Sequence, residues 1–244
     1  MRRYGPDTTV SYSFGPGPVT PAVKAIIFAN IGLFVVSQFY PRIALYLGVI
    51  PEAVLEKGWL WQLATYMFLH ADAMHILFNM LGVWMFGVEL ERTWGTRFFS
   101  RFYAVTGVGA GITVVLASLL PITALRMTYE AVTIGASGAL YGLLMAFAIY
   151  FPNRPILMFL LFPVPAKYFV MILGALAFMF SPGGGVSNSA HLGGLLFGYL
   201  YLKGRGGGIT AEFKYRYLKW KMNRLRRKFD VYSGGRSDWD RNIH

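Results

Sequence analysis

Cysteine is absent from the whole 244-residue chain. That absence excludes disulfides, thiolate metal sites and cysteine nucleophiles. Charge is nearly as scarce: Asp, Glu, Lys and Arg make up 14% of residues, against about 25% in an ordinary soluble domain. Acidic residues are the scarcer kind, 11 against 23 basic ones, for a net charge of +12. With so few charges and 55% hydrophobic residues, most of this chain cannot be soluble. It reads instead as a polytopic membrane protein.

The basic residues concentrate towards the C-terminus, where the segment from Lys203 to Lys228 holds ten Lys/Arg and one Glu. They alternate with Phe213, Tyr215, Tyr217 and Trp220 next to a hydrophobic span. That pattern fits attraction to anionic lipid headgroups better than nucleic-acid binding. No cleavable leader is expected, because the first apolar run starts near Val23 and no small-residue cleavage site followed by a soluble domain comes after it.

A helix needs roughly 20 apolar residues to cross the hydrocarbon. Six candidates satisfy or approach that length: 23–40, 72–90, 98–120, 135–151, 167–181 and 189–203. The stretch 41–71 carries Pro51, Glu52, Glu56, Lys57 and Gly58 and is expected to be a structured loop or interfacial element. Four prolines punctuate 151–167, which is expected to connect two spans without crossing. The chain therefore divides into an N-terminal segment 1–20, an all-α membrane domain 21–203 with six helices, and a basic tail 204–244.

Six crossings put both termini on one side, and the positive-inside rule selects the cytoplasm. The inside then receives Arg2, Arg3, Lys24, Arg92, Arg97, Arg101, Arg154, Lys167, Lys203, Arg205 and the tail, the outside only Arg42, Lys57 and Arg126.

Strongly polar side chains inside spans are costly and call for an explanation. His244 ends the sequence and carries no signal. With this topology, His75 and Asn79, Ser137, and His191 all fall at the outer ends of three different spans. His75 and Asn79 share a helix face, as do Ser137 and Tyr141. His70 would lie about 140° round from His75 if the helix extended that far. Gly138 with Gly142, and Gly194 with Gly198, are stripes that let two helices approach closely. The fourth and sixth spans are expected to be neighbours, with Ser137 facing His191. Each feature also has a plainer reading. A serine among glycines serves packing, and His75, Asn79 and His191 serve interhelical hydrogen bonds.

Taken together, the residues resemble a family. Gly135-Ala136-Ser137-Gly138 resembles the G-x-S-G motif of the rhomboid intramembrane serine proteases. The run from Ala190 and His191 to Gly194 and Gly198 is similar to that family's A-H-x-x-G-x-x-x-G on the last core helix. "HADAMHILFN" resembles its H-x-x-x-x-H-x-x-x-N, and "ELERTWG" its acidic-basic turn before the third span. The resemblance covers roughly 20–203. One departure stands in the first loop, where the family often has Trp-Arg and this chain has Trp61-Gln62. That substitution puts the loop's usual polar anchoring in question.

The resemblance implies an intramembrane serine endopeptidase working with a Ser137–His191 dyad and no acidic third member. Neither the fourth nor the sixth span contains Asp or Glu. Tyr141 is expected to stack on the His191 imidazole. His75, Asn79 and the Ser137 backbone N–H are expected to hold the oxyanion, with Gly135 and Gly138 giving backbone freedom and close helix contact. Substrates would be transmembrane proteins, with no cofactor or metal. The segment 181–189 would cap the site, with Phe78, Phe178 and Phe180 at a lateral gate. The expected setting is a bacterial cytoplasmic membrane, with the site open to the outer face. The alternatives are an inactive relative that binds membrane proteins, a small transporter, and a metal site built on three histidines.

Overall fold

The computed structural model describes residues 16–158, 162–179 and 186–205. The chain divides into two compact units, Met1–Tyr201 and Leu202–His244, and the candidate residues, apart from His244, belong to the first. Residues 1–15, the basic tail beyond Arg205, Phe180, the stretch 181–185, the side chain of Phe178 and His244 lie outside the described residues.

Helix α1 spans Pro21–Phe39 and starts with proline in its first turn, where a missing N–H costs nothing. Three short helices follow: α2 (Ile43–Leu47), α3 (Pro51–Glu56) and α4 (Gln62–Thr65), the last running into a 3₁₀ turn at Tyr66–Phe68. They make up the structured loop expected over 41–71. Helix α5 (Ala73–Trp94) begins where Asp72 accepts the His75 N–H at 2.8 Å. A Gly95 turn leads into α6 (Thr96–Ser118) and then the single turn α7 (Thr123–Arg126). Helix α8 occupies Ser137–Tyr150, α9 Ala166–Met179 and α10 Val186–Arg205.

Helices α1, α5, α6, α8, α9 and α10 overlap the six apolar runs. Three of them, α1, α5 and α6, are long and apolar enough to cross a membrane among the described residues. Their surfaces agree with a lipid setting: Phe28 and Phe78 are exposed to 62% and 61% respectively, while the packed interior is also apolar. Large side chains exposed on helices of this composition face hydrocarbon at no cost.

Two details differ from the sequence reading. The domain is not all-α, because Pro155–Met158 (β1) and Phe162–Pro165 (β2) pair as an antiparallel hairpin within 151–167. The prolines permit this because the register opposes Pro155 to Pro165 and Leu157 to Pro163. Ala166 N–H donates to the Arg154 carbonyl at 2.9 Å, so hydrogen-bonded pairs alternate with the proline-bearing ones. Second, α10 starts at Val186, so 186–189, read from the sequence as part of a cap, are the helix's first turn.

Helix α6 lies against both α8 and α10. A Cβ added at Gly142 would meet Thr106, one at Gly193 would meet Thr113 and Ala110, and one at Gly109 would enter the Phe197 ring. The contact between α8 and α10 is closer still. A Cβ on Gly194 would overlap the Gly138 carbonyl oxygen, and one on Gly198 would come within 3.1 Å of the Gly142 Cα. The two glycine stripes therefore face each other.

At the other end of the bundle, Glu91 clamps the start of α1. Its carboxylate accepts hydrogen bonds from the Thr20 and Thr96 hydroxyls at 2.5 and 2.7 Å. It also accepts from the Ala22 and Val23 N–H groups at 2.9 and 3.0 Å. A carboxylate at a helix N-terminus satisfies orphan donors and complements the dipole. The next residue, Arg92, donates to the carbonyls of Pro16 and Pro18. The acidic-basic motif is thus a strap that ties the entry of α1 to the end of α5.

Candidate active site

Ser137 is the first residue of α8, and the chain reaches it through a glycine with φ +125°. Only glycine adopts that conformation cheaply. A Cβ at Gly135 would also come within 2.8 Å of the His75 Nε2, so the position needs glycine twice over. The α8–α10 approach then sets the Ser137 Oγ 2.9 Å from the His191 Nε2. The Tyr141 ring lies on the His191 imidazole at 4.2 Å between centroids and 11° between planes. The His191 Nδ1 is buried without a hydrogen-bond partner, so stacking and packing hold the ring, not a carboxylate.

His75 belongs to the same cluster. Its Nδ1 accepts the Ala71 N–H at 3.4 Å, which leaves the proton on Nε2. That nitrogen borders Gly135, with the Ser137 Oγ 3.8 Å from the same Gly135 Cβ position. One Asn79 Nδ2 hydrogen is engaged, since Nδ2 donates to the His75 carbonyl one turn back at 2.9 Å. Its second hydrogen is the one available to a ligand, and its Oδ1 is buried without a partner. Gly138 packs against Ala110 and the Tyr66 hydroxyl, where a Cβ would come within 2.6 and 2.8 Å. Phe78 is exposed on α5.

His70 is a residue whose place the sequence does not reveal. Because Asp72 caps α5, residues 69–72 are not helical and His70 is not carried round the helix. It turns inward instead, 3% exposed, with its ring 4.9 Å from that of His75 in an edge-on arrangement. Its Nε2 accepts the Ala136 N–H at 3.5 Å, one residue before Ser137. Burial, together with the neighbouring His75 and against a smaller opposing effect of Asp72, lowers its pKa to about 4. It is a neutral acceptor at ordinary pH. Asp72, visible as a cap residue, is the signal that could have placed it. Although three histidines stand at this end, no grouping of three or more His, Asp or Glu suited to a metal ion occurs among the described residues.

The rhomboid domain model matches residues 57–205, more than half of the chain. The chain belongs to the rhomboid family. It is 35% identical over 138 residues to the mitochondrial Rhomboid protein 1 of Saccharomyces cerevisiae, covering 55% of this chain and 38% of that one. Over 172 residues it is 31% identical to the Rhomboid protease GluP of Bacillus subtilis, covering 70% of this chain and 31% of the relative. RHOMBOID-like protein 2 of Arabidopsis thaliana is 31% identical over 180 residues, with 70% and 50% covered. The chain thus spans half or less of the length of these relatives. Ser137, His191, His75, Asn79 and Tyr141 all fall inside the rhomboid match, whereas α1 precedes it. Membership makes the chain an integral membrane protein.

Proposed function

We propose that this rhomboid is an intramembrane serine endopeptidase that hydrolyses peptide bonds in or near the transmembrane segments of other membrane proteins. The observation that carries the reading is the 2.9 Å approach of the Ser137 Oγ to the His191 Nε2. Ser137 attacks the scissile carbonyl while His191 takes its proton and later returns it to the leaving amine. Tyr141 fixes the imidazole plane in place of an acidic partner. The tetrahedral oxyanion is held by the His75 Nε2–H, the second Asn79 amide hydrogen and the Ser137 N–H, which by its place at the helix start has no intrahelical acceptor. No cofactor enters these steps.

The remaining features form one arrangement with this chemistry. Six crossings in 21–203 place the short segment 1–20 and the basic tail 204–244 in the cytoplasm, the tail against anionic headgroups. The starts of α5, α8 and α10 then meet at the outer face of a bacterial cytoplasmic membrane, where water enters and a locally unwound substrate helix arrives from the lipid.

Purified protein in detergent is expected to cleave a model transmembrane substrate. Ser137→Ala or His191→Ala should abolish that cleavage. Undiminished cleavage by Ser137→Ala would refute the mechanism. A fluorophosphonate should label the wild-type serine covalently, whereas substrate binding without labelling or cleavage would mark the chain as an inactive binder.

A further inference from the structure

We propose that Gln62 is the positioning residue of the nucleophile turn, setting Ser137 from the first loop through the Val49–Thr133 bridge. The proposal rests on Ser137 being the nucleophile.

Three of the backbone amides that lead up to Ser137, those of Thr133, Gly135 and Ala136, bond to the same part of the chain. Thr133 N–H donates to the Val49 carbonyl at 2.8 Å, and Val49 N–H returns a bond to the Thr133 carbonyl at 2.9 Å. Gly135 N–H donates to the Tyr66 carbonyl at 3.0 Å. Ala136 N–H meets the His70 Nε2 at 3.5 Å. Each of these partners comes from residues 49–70, so the first loop is a template on which the approach to the nucleophile is laid. The template must itself be held, because α2, α3 and α4 are each one or two turns long and do not stand alone.

Gln62 holds it. The side chain is fully buried, and both ends of its amide are used. Its Oε1 accepts the Ile50 N–H at 3.0 Å, directly beside the bridging Val49. Its Nε2 donates to the carbonyls of Leu45 and Tyr46 at 3.1 and 3.4 Å. One neutral group therefore pins the loop at two points, within α2 and just beyond it, and fixes Val49 between them. An arginine, the residue the family often has here, has donors only and could not accept the Ile50 N–H. The glutamine is thus a different anchor, not a missing one.

The test uses the full chain in detergent with Gln62→Met, which keeps volume but neither hydrogen-bonding end, and Gln62→Glu, which keeps the acceptor. Amide hydrogen exchange is followed over 45–50, over 129–137 and in α6, along with the rate of Ser137 labelling by a fluorophosphonate. In Gln62→Met, exchange should rise in 45–50 and 129–137 together while α6 stays protected. The maximal labelling rate should fall by about ten- to a hundredfold, since small misplacements of a reacting group cost that much, with the half-saturating probe concentration unchanged. Gln62→Glu should keep part of the protection at 129–137. Loosening of 45–50 with 129–137 unaffected, or a uniform rise in exchange across all helices, would overturn the proposal. If the wild-type serine does not label at all, the protease reading fails, while the exchange pattern still decides whether Gln62 positions this turn.

Discussion

At the scale of single residues, this site replaces an ionic orienting group with shape. The His191 Nδ1 has no hydrogen-bond partner, and its ring is held face to face with Tyr141 at 4.2 Å. Tyr141→Phe keeps the stacked surface and should leave substrate turnover within a fewfold of wild type. Tyr141→Ala removes it and should lower turnover by roughly 10- to 100-fold, since the imidazole loses its fixed plane. Initial rates at saturating substrate separate the two, and equal loss in both would show that the hydroxyl, not the ring, matters. His70 makes a second prediction. Its folded pKa of about 4 lies below the ordinary 6.5 because the site is buried. A depressed histidine favours protons in the unfolded chain, so its contribution is intact above about pH 6.5 and is lost as pH falls towards 4. Thermal melts in detergent across that window should show a falling Tm, with a shallower but still present slope in His70→Asn because His75 and His191 remain. A wild-type melt independent of pH down to 4 would contradict the neutral, buried placement.

At the scale of elements, packing and catalysis share the same residues. Gly138 and Gly194 remove the side chains that would separate α8 from α10, and that separation sets the Ser137–His191 distance. This much is legible in the sequence, because hydrophobic length, small-residue stripes and the G-x-S-G and A-H-x-x-G motifs are local signals. The positions of α1, α5, α6, α8, α9 and α10 follow the apolar runs within a few residues. The β1–β2 hairpin is not legible. Prolines signal an interruption, and only the register shows them falling on the pairs that exchange no backbone hydrogen bonds. Gln62 reads in sequence as a loss, because an amide stands in place of a charge. Its use as both donor and acceptor appears only when Ile50, Leu45 and Tyr46 close around it. The helical position for His70 holds only if α5 reaches back past Asp72, and Asp72 caps the start of that helix. For the hairpin and for Gln62 the missing information is a hydrogen bond that spacing and composition do not encode.

At the scale of the whole molecule, the two ends of the bundle differ in chemistry, and this gives the orientation its test. One end holds His70, His75, Ser137 and His191, with the first loop folded against it. The other holds the Glu91–Arg92 strap and the Glu89–Arg154 ion pair at 2.7 Å. Basic residues follow the same division. Lys24, Arg92, Arg97, Arg101, Arg154 and Lys167 gather near the strap, against Arg42, Lys57 and Arg126 near the histidines. Such a bias is what fixes topology during insertion, so the strap end should be cytoplasmic. The absence of cysteine makes the experiment clean, since a single introduced thiol is the only one to react. Glu130→Cys, exposed between α7 and α8, should react with a membrane-impermeant maleimide on intact cells. Thr93→Cys, exposed at the end of α5, should react only after permeabilisation. The reverse pattern would put the site in the cytoplasm and overturn the orientation while leaving the dyad untouched. Labelling of both from outside would mean that the crossing between the two positions does not exist, with α6 not spanning. The prediction therefore tests α6 as a crossing as well as the direction in which it runs.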